Sequence, residues 1–133
     1  MILDKLNLIE VSNLETHFWM IDKPQGEGSV DVKFGQLSFE AGATLSSEIG
    51  KSAIIVSTEP KIVGVEKSDR KEAFSLSIKM KMIFSYPSEE DVNENTIKDY
   101  GWYFSSFART HFRIFAEQIL QQAGINGVSL PLN

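Results

Sequence analysis

The sequence predicts an α+β fold, in which a four-stranded antiparallel sheet is followed by a long C-terminal helix and an extended apolar tail. Two observations carry this prediction. Residues 73–86 alternate between apolar and polar side chains, which is the period of a strand with one buried face. Residues 102–122 repeat their apolar side chains at spacings of three and four, the period of an amphipathic helix. The chain of 133 residues is expected to form a single domain over residues 1–133.

The first two strands are marked less clearly than the last one. Residues 15–21 favour a strand, although the apolar residues before them also fit a short helix. Residues 29–39 alternate as well, and the apolar side chains change parity after Phe34. Such a change predicts a bulge near Gly35.

The third strand is predicted at residues 53–66, which are rich in isoleucine and valine. Pro60 lies inside this run, and because proline cannot donate to a ladder, we expect an edge or a bulge there. The polar residues 67–71 fit a hairpin turn that leads into the strand at 73–86. Since the breaks between strands are too short for helical crossovers, the sheet is expected to be antiparallel.

The long helix follows an acidic opening at residues 88–91. Arg109 and Arg113 are expected on its wet edge, and Gly124 is placed to end it. Pro131 keeps the apolar tail after it from being helical. The residues expected to form a packing and oligomer helix are Phe104, Phe107, Arg109, His111, Phe112, Phe115 and Ile119.

Composition excludes several classes of protein. The formal net charge is −5 with no run of lysine and arginine, so nucleic acid is not an expected partner. The absence of cysteine excludes disulfides, thiolate catalysis and cysteine-based zinc sites. No stretch has the unbroken apolar character of a signal peptide or a membrane span, so we expect no membrane insertion and a cytoplasmic location.

His111 is the sharpest catalytic candidate, because histidine titrates near neutral pH. No nucleophile or orienting carboxylate lies near it in the sequence, so a structural or interface role is favoured. His17 is the only other histidine, and a metal site would need both of them and a carboxylate. The acidic residues 89–94 lack the ligand order of a calcium loop. We therefore predict no catalytic residue, no metal site, no cofactor and no enzymatic activity.

The aromatic side chains exceed what one helix and one sheet face can bury. This surplus favours self-association or a groove for an apolar client, and the two can coexist. By their size and their placement beside turns, the expected peptide-binding residues are Trp19, Phe34, Phe39, Trp102 and Tyr103.

The order of these parts resembles the SecB-type export chaperones. The helix of that family opens with a segment like Leu-Phe-Pro-Tyr-x-Arg, and Phe107 and Arg109 match its aromatic residue and its arginine. Ser106 stands where the family usually has proline. The family then runs through Leu-x-Leu-x-Pro-x-Asn-Phe, to which residues 128–133 (VSLPLN) are similar. The resemblance extends over residues 53–133.

The resemblance implies a sheet that pairs into a homodimer or homotetramer. It also implies ATP-independent holding of unfolded or nascent polypeptide in apolar grooves. SecB-like proteins serve protein export or toxin–antitoxin systems, so the expected partner is an unfolded client or one dedicated protein. Two alternatives stay open: a small α+β enzyme of the hotdog thioesterase type, using His111 or Glu48, and a dedicated oligomerisation or adaptor domain.

Overall fold

The computed structural model describes residues 2–21, 28–45, 49–66 and 70–125. Residues 126–133 of the predicted tail, the middle of the predicted turn at residues 67–69, and Glu48 lie outside the described residues.

The described residues form six strands and two helices after a short 3-10 turn at Ile2–Lys5. The strands are β1 (Asn7–Met20), β2 (Gly28–Lys33), β3 (Ser38–Thr44), β4 (Lys51–Thr58), β5 (Lys61–Glu66) and β6 (Glu72–Pro87). The helices are α1 (Glu94–Lys98) and α2 (Gly101–Gln122).

The long strand β6 is the centre of the sheet, and every described pairing is antiparallel. On one edge, β1 pairs with it from Asn7 opposite Ser85 to Met20 opposite Phe74. On the other edge, β4 pairs with the C-terminal half of β6 and β5 with its N-terminal half. Outside these, β3 pairs with β4 and β2 with β5. The α+β class and the antiparallel sheet are confirmed.

The predicted number of four strands is wrong, because two of the predicted strands are interrupted. β4 and β5 follow one another along the same edge of β6, separated by Glu59 and Pro60. β2 and β3 follow one another in the next row, separated by residues 34–37. Pro60 has no N–H to donate, and Gly35 has a φ of 70°, a left-handed backbone that departs from the extended conformation of a regular strand. The sheet is four rows wide, but six strands fill those rows.

The first strand is longer than the predicted segment at residues 15–21. β1 begins at Asn7, and its register shifts between Leu8 and Glu10 and again between Asn13 and Glu15. Each shift inserts a residue that changes the face on which later side chains lie. The alternation that marks a strand in the sequence is therefore lost, and the helical alternative for this segment is wrong.

The core lies between β6, its neighbouring strands and α2. The apolar side chains of β6 that alternate into it are Phe74, Leu76, Ile78, Met80, Met82, Phe84 and Tyr86, as the sequence predicts. The buried stripe of α2 is Phe104, Ala108, Phe112, Ala116 and Leu120. Burying a large apolar side chain stabilises a fold by about 1.5–3 kcal/mol. These two rows therefore hold the helix onto the sheet.

The acidic segment at residues 88–91 forms a turn, and the helical start lies further on, at Asn93. The Thr96 N–H donates to Asn93 Oδ1 at 3.0 Å, which caps α1. The second helix ends as predicted: Gly124 has a φ of 81°, and the Ile125 N–H donates to the Leu120 carbonyl at 2.8 Å. Neither described helix has the length and apolarity needed to cross a membrane.

Candidate functional site

The two strand interruptions lie side by side in the sheet. The last pair of β2 with β5 is Lys33 and Lys61, and the first pair of β3 with β4 is Ser38 and Ser57. No main-chain pairing of the described ladders joins the residues between these two pairs. We call residues 34–37 together with 59–60 the strand gap. The sheet is thus locally open under one side of α2.

A side-chain hydrogen bond spans the strand gap where the ladder does not. Thr58 Oγ1 donates to the carbonyl oxygen of Phe34 at 3.1 Å, and Thr58 is itself buried. The bond satisfies a buried hydroxyl and fixes the start of the interruption in β2–β3. It therefore holds the gap in a defined shape.

A small, partly open cavity of about 40 Å³ lies between the strand gap and α2. Its lining residues are Phe34, Gly35, Leu37, Thr58, Pro60, Ser105, Ala108 and Arg109. A water molecule needs roughly 10–15 Å³ of such volume, so the cavity has room for about three waters or one small polar group. Backbone, apolar side chains and one guanidinium contribute to the lining together.

One aromatic ring, Phe34, lines this cavity, and a second, Phe39, lies in β3 just after the strand gap; both pack against the buried stripe of α2. The Phe34 ring meets Phe112 edge-to-face, with centroids 6.0 Å apart, and Phe39 meets Phe104 in the same way at 5.4 Å. Phe112 and Phe104 are both buried. Edge-to-face packing against buried partners restrains a ring, so the Phe34 and Phe39 rings are held in place.

Arg109 is the charged residue of the cavity lining, and its surroundings differ from those expected of a wet edge. It is half-buried, and its Cζ lies 4.7 Å from the centroid of the Phe34 ring, a cation–π contact. Its Nε is buried and has no hydrogen-bond partner among the described residues. An unpaired buried donor costs about 1–3 kcal/mol. Arg113, one turn on, forms the expected surface pair with Glu117, at 3.0 Å.

The five aromatic residues predicted for peptide binding are not brought onto one surface. Phe34 and Phe39 border the strand gap, as described above. Trp102 is 66% exposed and stands seven residues before Arg109, which places the two on the same side of α2. The Tyr103 ring contacts both Trp102, at 6.0 Å between ring centroids, and Phe107 on the other flank, at 5.1 Å.

Trp19 lies on the opposite face of the sheet. Its partner in β6 is Ser75, and the two side chains point away from α2 because the neighbouring residues of β6 point into the core. The indole is 46% exposed. Trp19 is therefore separated from the strand gap by the thickness of the sheet.

The other residues predicted for the packing helix divide between two environments. Phe104 and Phe112 belong to the buried stripe, whereas the half-buried residues of the flank are Phe107, His111, Phe115 and Ile119. Since Arg109 faces the strand gap, this flank faces the side of β1.

His17 Nε2 contacts Glu15 Oε1 at 2.6 Å on the surface. Within the described ranges, no three histidine, aspartate or glutamate side chains are grouped as a metal site would require.

Sequence reasoning missed most residues that line the cavity. Leu37, Thr58 and Ser105 carried no signal of their own. Pro60 and the parity change at Gly35 were both visible, but as separate irregularities. Their adjacency depends on the register between two strands, which the sequence does not display.

The chain shares its fold with a solved SecB-like chaperone. Rv1957 of Mycobacterium tuberculosis, in complex with a ChAD peptide from the Rv1956 HigA1 antitoxin, is similar with a TM-score of 0.66 at 13% identity. The similarity covers 97% of this chain and 91% of that one. A protein of unknown function from Streptococcus agalactiae gives a TM-score of 0.44 at 10% identity, over 96% of this chain and 97% of that one. No family model and no curated protein sequence matches the chain. The SecB-like resemblance predicted from the sequence is confirmed at the level of the fold.

Proposed function

We propose that this chain is an ATP-independent chaperone that holds an unfolded or partner polypeptide in extended form beside α2. The observation that carries the proposal is the strand gap, an opening lined by Phe34 with Phe39 close by in β3, on a SecB-like fold. The resemblance implies that it acts in the cytoplasm.

The physical basis of holding is simple. An extended client presents a side chain about every 3.3 Å, alternately to either side. Rigid aromatic walls bind apolar side chains of many shapes with little sequence selectivity. Such binding shields apolar client surface without a chemical step, so it requires neither a catalytic group nor a nucleotide. Phe34, Phe39 and Trp102 would form the client surface.

The client is proposed to be a dedicated partner in a toxin–antitoxin system. The SecB-like chaperone with the similar fold was solved with a peptide from an antitoxin, which supports this class of partner over general export cargo. A dedicated partner should bind much more tightly than unrelated unfolded proteins. Equal affinity for several unfolded proteins of unrelated sequence would favour a general or export chaperone instead.

Self-association is proposed through the outer edge of β1. This strand pairs only with β6 among the described strands, and an unpaired edge is a template for a second chain. Leu14 is 55% exposed, and Ile9 and Met20 are exposed too. The result would be a homodimer, or a homotetramer built from two such pairs.

A charge placed on this edge tests the interface. We expect the unaltered chain to sediment as a dimer or tetramer and the Leu14→Lys variant to sediment as a monomer with the same circular dichroism spectrum. Val30→Lys on β2, at the opposite side of the sheet, is the matched control and should keep the assembly. An unchanged oligomer in Leu14→Lys would place the interface elsewhere.

The holding activity itself is tested by suppression of aggregation. A chemically unfolded, slow-folding client is diluted into buffer with and without this protein, and light scattering is followed without nucleotide. Suppression at near-stoichiometric ratios is expected. If a several-fold excess has no effect on scattering, the proposal of a general holding activity is wrong.

A further inference from the structure

We infer that the strand gap receives a side-chain carboxylate of the bound polypeptide, with the Arg109 guanidinium as its receptor. The inference rests on the proposed function and adds a charge preference to it. The occupant is an aspartate or glutamate of an extended client segment.

Arg109 has no counter-ion among the described residues. The chain has 18 acidic residues against 13 basic ones, so acidic partners are plentiful. Arg113 forms an ion pair with Glu117. Across the described ranges, no carboxylate is paired with Arg109. Its guanidinium makes a cation–π contact with the ring of Phe34. An arginine that has no acidic partner among the described residues, beside a cavity of an acidic protein, is complementary to an anion from outside.

The Arg109 guanidinium has hydrogen-bonding capacity left for a ligand. A guanidinium is planar, and Nε with one Nη forms an edge that binds a carboxylate through two parallel hydrogen bonds. The Phe34 ring contacts the Arg109 guanidinium, with Cζ 4.7 Å from the ring centroid, and Arg109 is also a lining residue of the cavity. Nε on that edge is buried and unpaired in the described structure. A carboxylate that entered the cavity would supply the acceptor that the described residues do not.

The cavity also has a size that suits a carboxylate. Its volume of about 40 Å³ suits a group of about three heavy atoms, which is the size of a carboxylate. An aromatic client side chain is too large and would have to lie outside, against Phe39 or Trp102. A client amide has the same shape as a carboxylate but a single acceptor, so it cannot accept both parallel hydrogen bonds. The site should therefore distinguish glutamate from glutamine.

The test uses matched peptides with acetylated and amidated ends, so that no terminal charge contributes. Short Phe- and Leu-containing peptides carry one glutamate at each position in turn, and each has a glutamine twin. We expect fluorescence anisotropy to show, at one position, binding of the glutamate peptide about tenfold tighter than that of its twin, as for a hydrogen bond to a charged group. The preference should shrink as salt is added.

Variants connect the preference to Arg109. Arg109→Gln should abolish it, and Arg109→Lys should keep only part of it, since an ammonium retains the charge without the planar fork. Arg113→Gln is the matched control and should keep the full preference. Thermal unfolding of each variant shows that it is folded.

The outcomes separate this inference from the proposed function. If the unaltered chain binds both twins equally at every position, the carboxylate inference is wrong and the chaperone proposal stands. If it binds none of the peptides, the carboxylate inference is wrong, and the suppression of aggregation decides the proposed function separately. A preference that survives in Arg109→Gln also overturns the inference, because another group must then read the carboxylate.

Discussion

Arg109 and Arg113 show how strongly the surroundings of a residue can differ within one turn of a helix. Both are arginines of α2, and both were expected on its wet edge. Arg113 forms a surface pair with Glu117, whereas Arg109 contacts Phe34 and has a buried Nε with no hydrogen-bond partner among the described residues. The difference comes from the strand gap, which lies far from either residue in the sequence.

Gly64 gives a prediction about stability at the residue scale. A Cβ at this position would overlap the ring of Phe74, which is buried in the core. Gly64→Ala should therefore lower the free energy of unfolding by about 1–3 kcal/mol through overpacking. Gly101 at the start of α2 has open space around its Cβ position, so Gly101→Ala is the control and should be neutral or slightly stabilising. Urea denaturation of both variants measures this, and an equal loss in the two would contradict the packing described for Phe74.

The two exposed tryptophans give a prediction about client binding. Trp102 lies on the side of α2 that carries Arg109, and Trp19 lies on the open face of the sheet. Trp102→Ser should weaken binding of an unfolded client by about tenfold, as loss of an aromatic anchor does. Trp19→Ser should leave the affinity unchanged in the same titration. The reverse order would move the client surface to the open face.

At the scale of elements, Gly35 is the residue on which the shape of the strand gap depends. Its φ of 70° suits glycine, and the space around its Cβ position is ordinary, with the Glu59 carbonyl oxygen 3.7 Å away. Strain rather than collision therefore decides what can replace it. Gly35→Val should cost roughly 1–2 kcal/mol, because a β-branched side chain disfavours the left-handed backbone.

The matched variant for this position is Gly35→Asn, because asparagine tolerates the left-handed region. It should cost clearly less than valine in the same denaturation experiment. Equal losses for valine and asparagine would show that side-chain size, and not the backbone, limits this position.

The elements also show which parts of the fold the sequence reveals. β6 was predicted almost to its ends, because its alternation is uninterrupted and one of its faces is buried throughout. β1 was predicted only in part, since two register shifts break its period. The length of α2 was predicted well, but the centre of its buried face was not. Both of its flanks carry aromatic side chains, and only contact with the sheet selects the stripe that runs from Phe104 to Leu120.

At the scale of the whole molecule, the two faces of the sheet have different characters. The face that carries α2 contains the core and the strand gap. The open face has charged side chains paired across strands, with Lys79 opposite Glu15 and Lys81 Nζ 3.9 Å from Glu10 Oε2. Trp19 and the partly buried pair of Ile55 and Ile83 are apolar side chains among these charges. Since the strand gap lies on the face that carries α2, the proposed function depends on that side of the molecule.

The central claim is that an unfolded polypeptide is held at the strand gap, and site-specific photo-crosslinking tests it most directly. A photoreactive amino acid is placed at Gln36, an exposed residue of the strand gap, or at Ser57, an exposed residue of the open face. After illumination with a chemically unfolded client, we predict a covalent adduct from position 36 and none from position 57, with no adduct when the client is native. Equal adducts from the two positions, or adducts from position 57 alone, would contradict the account.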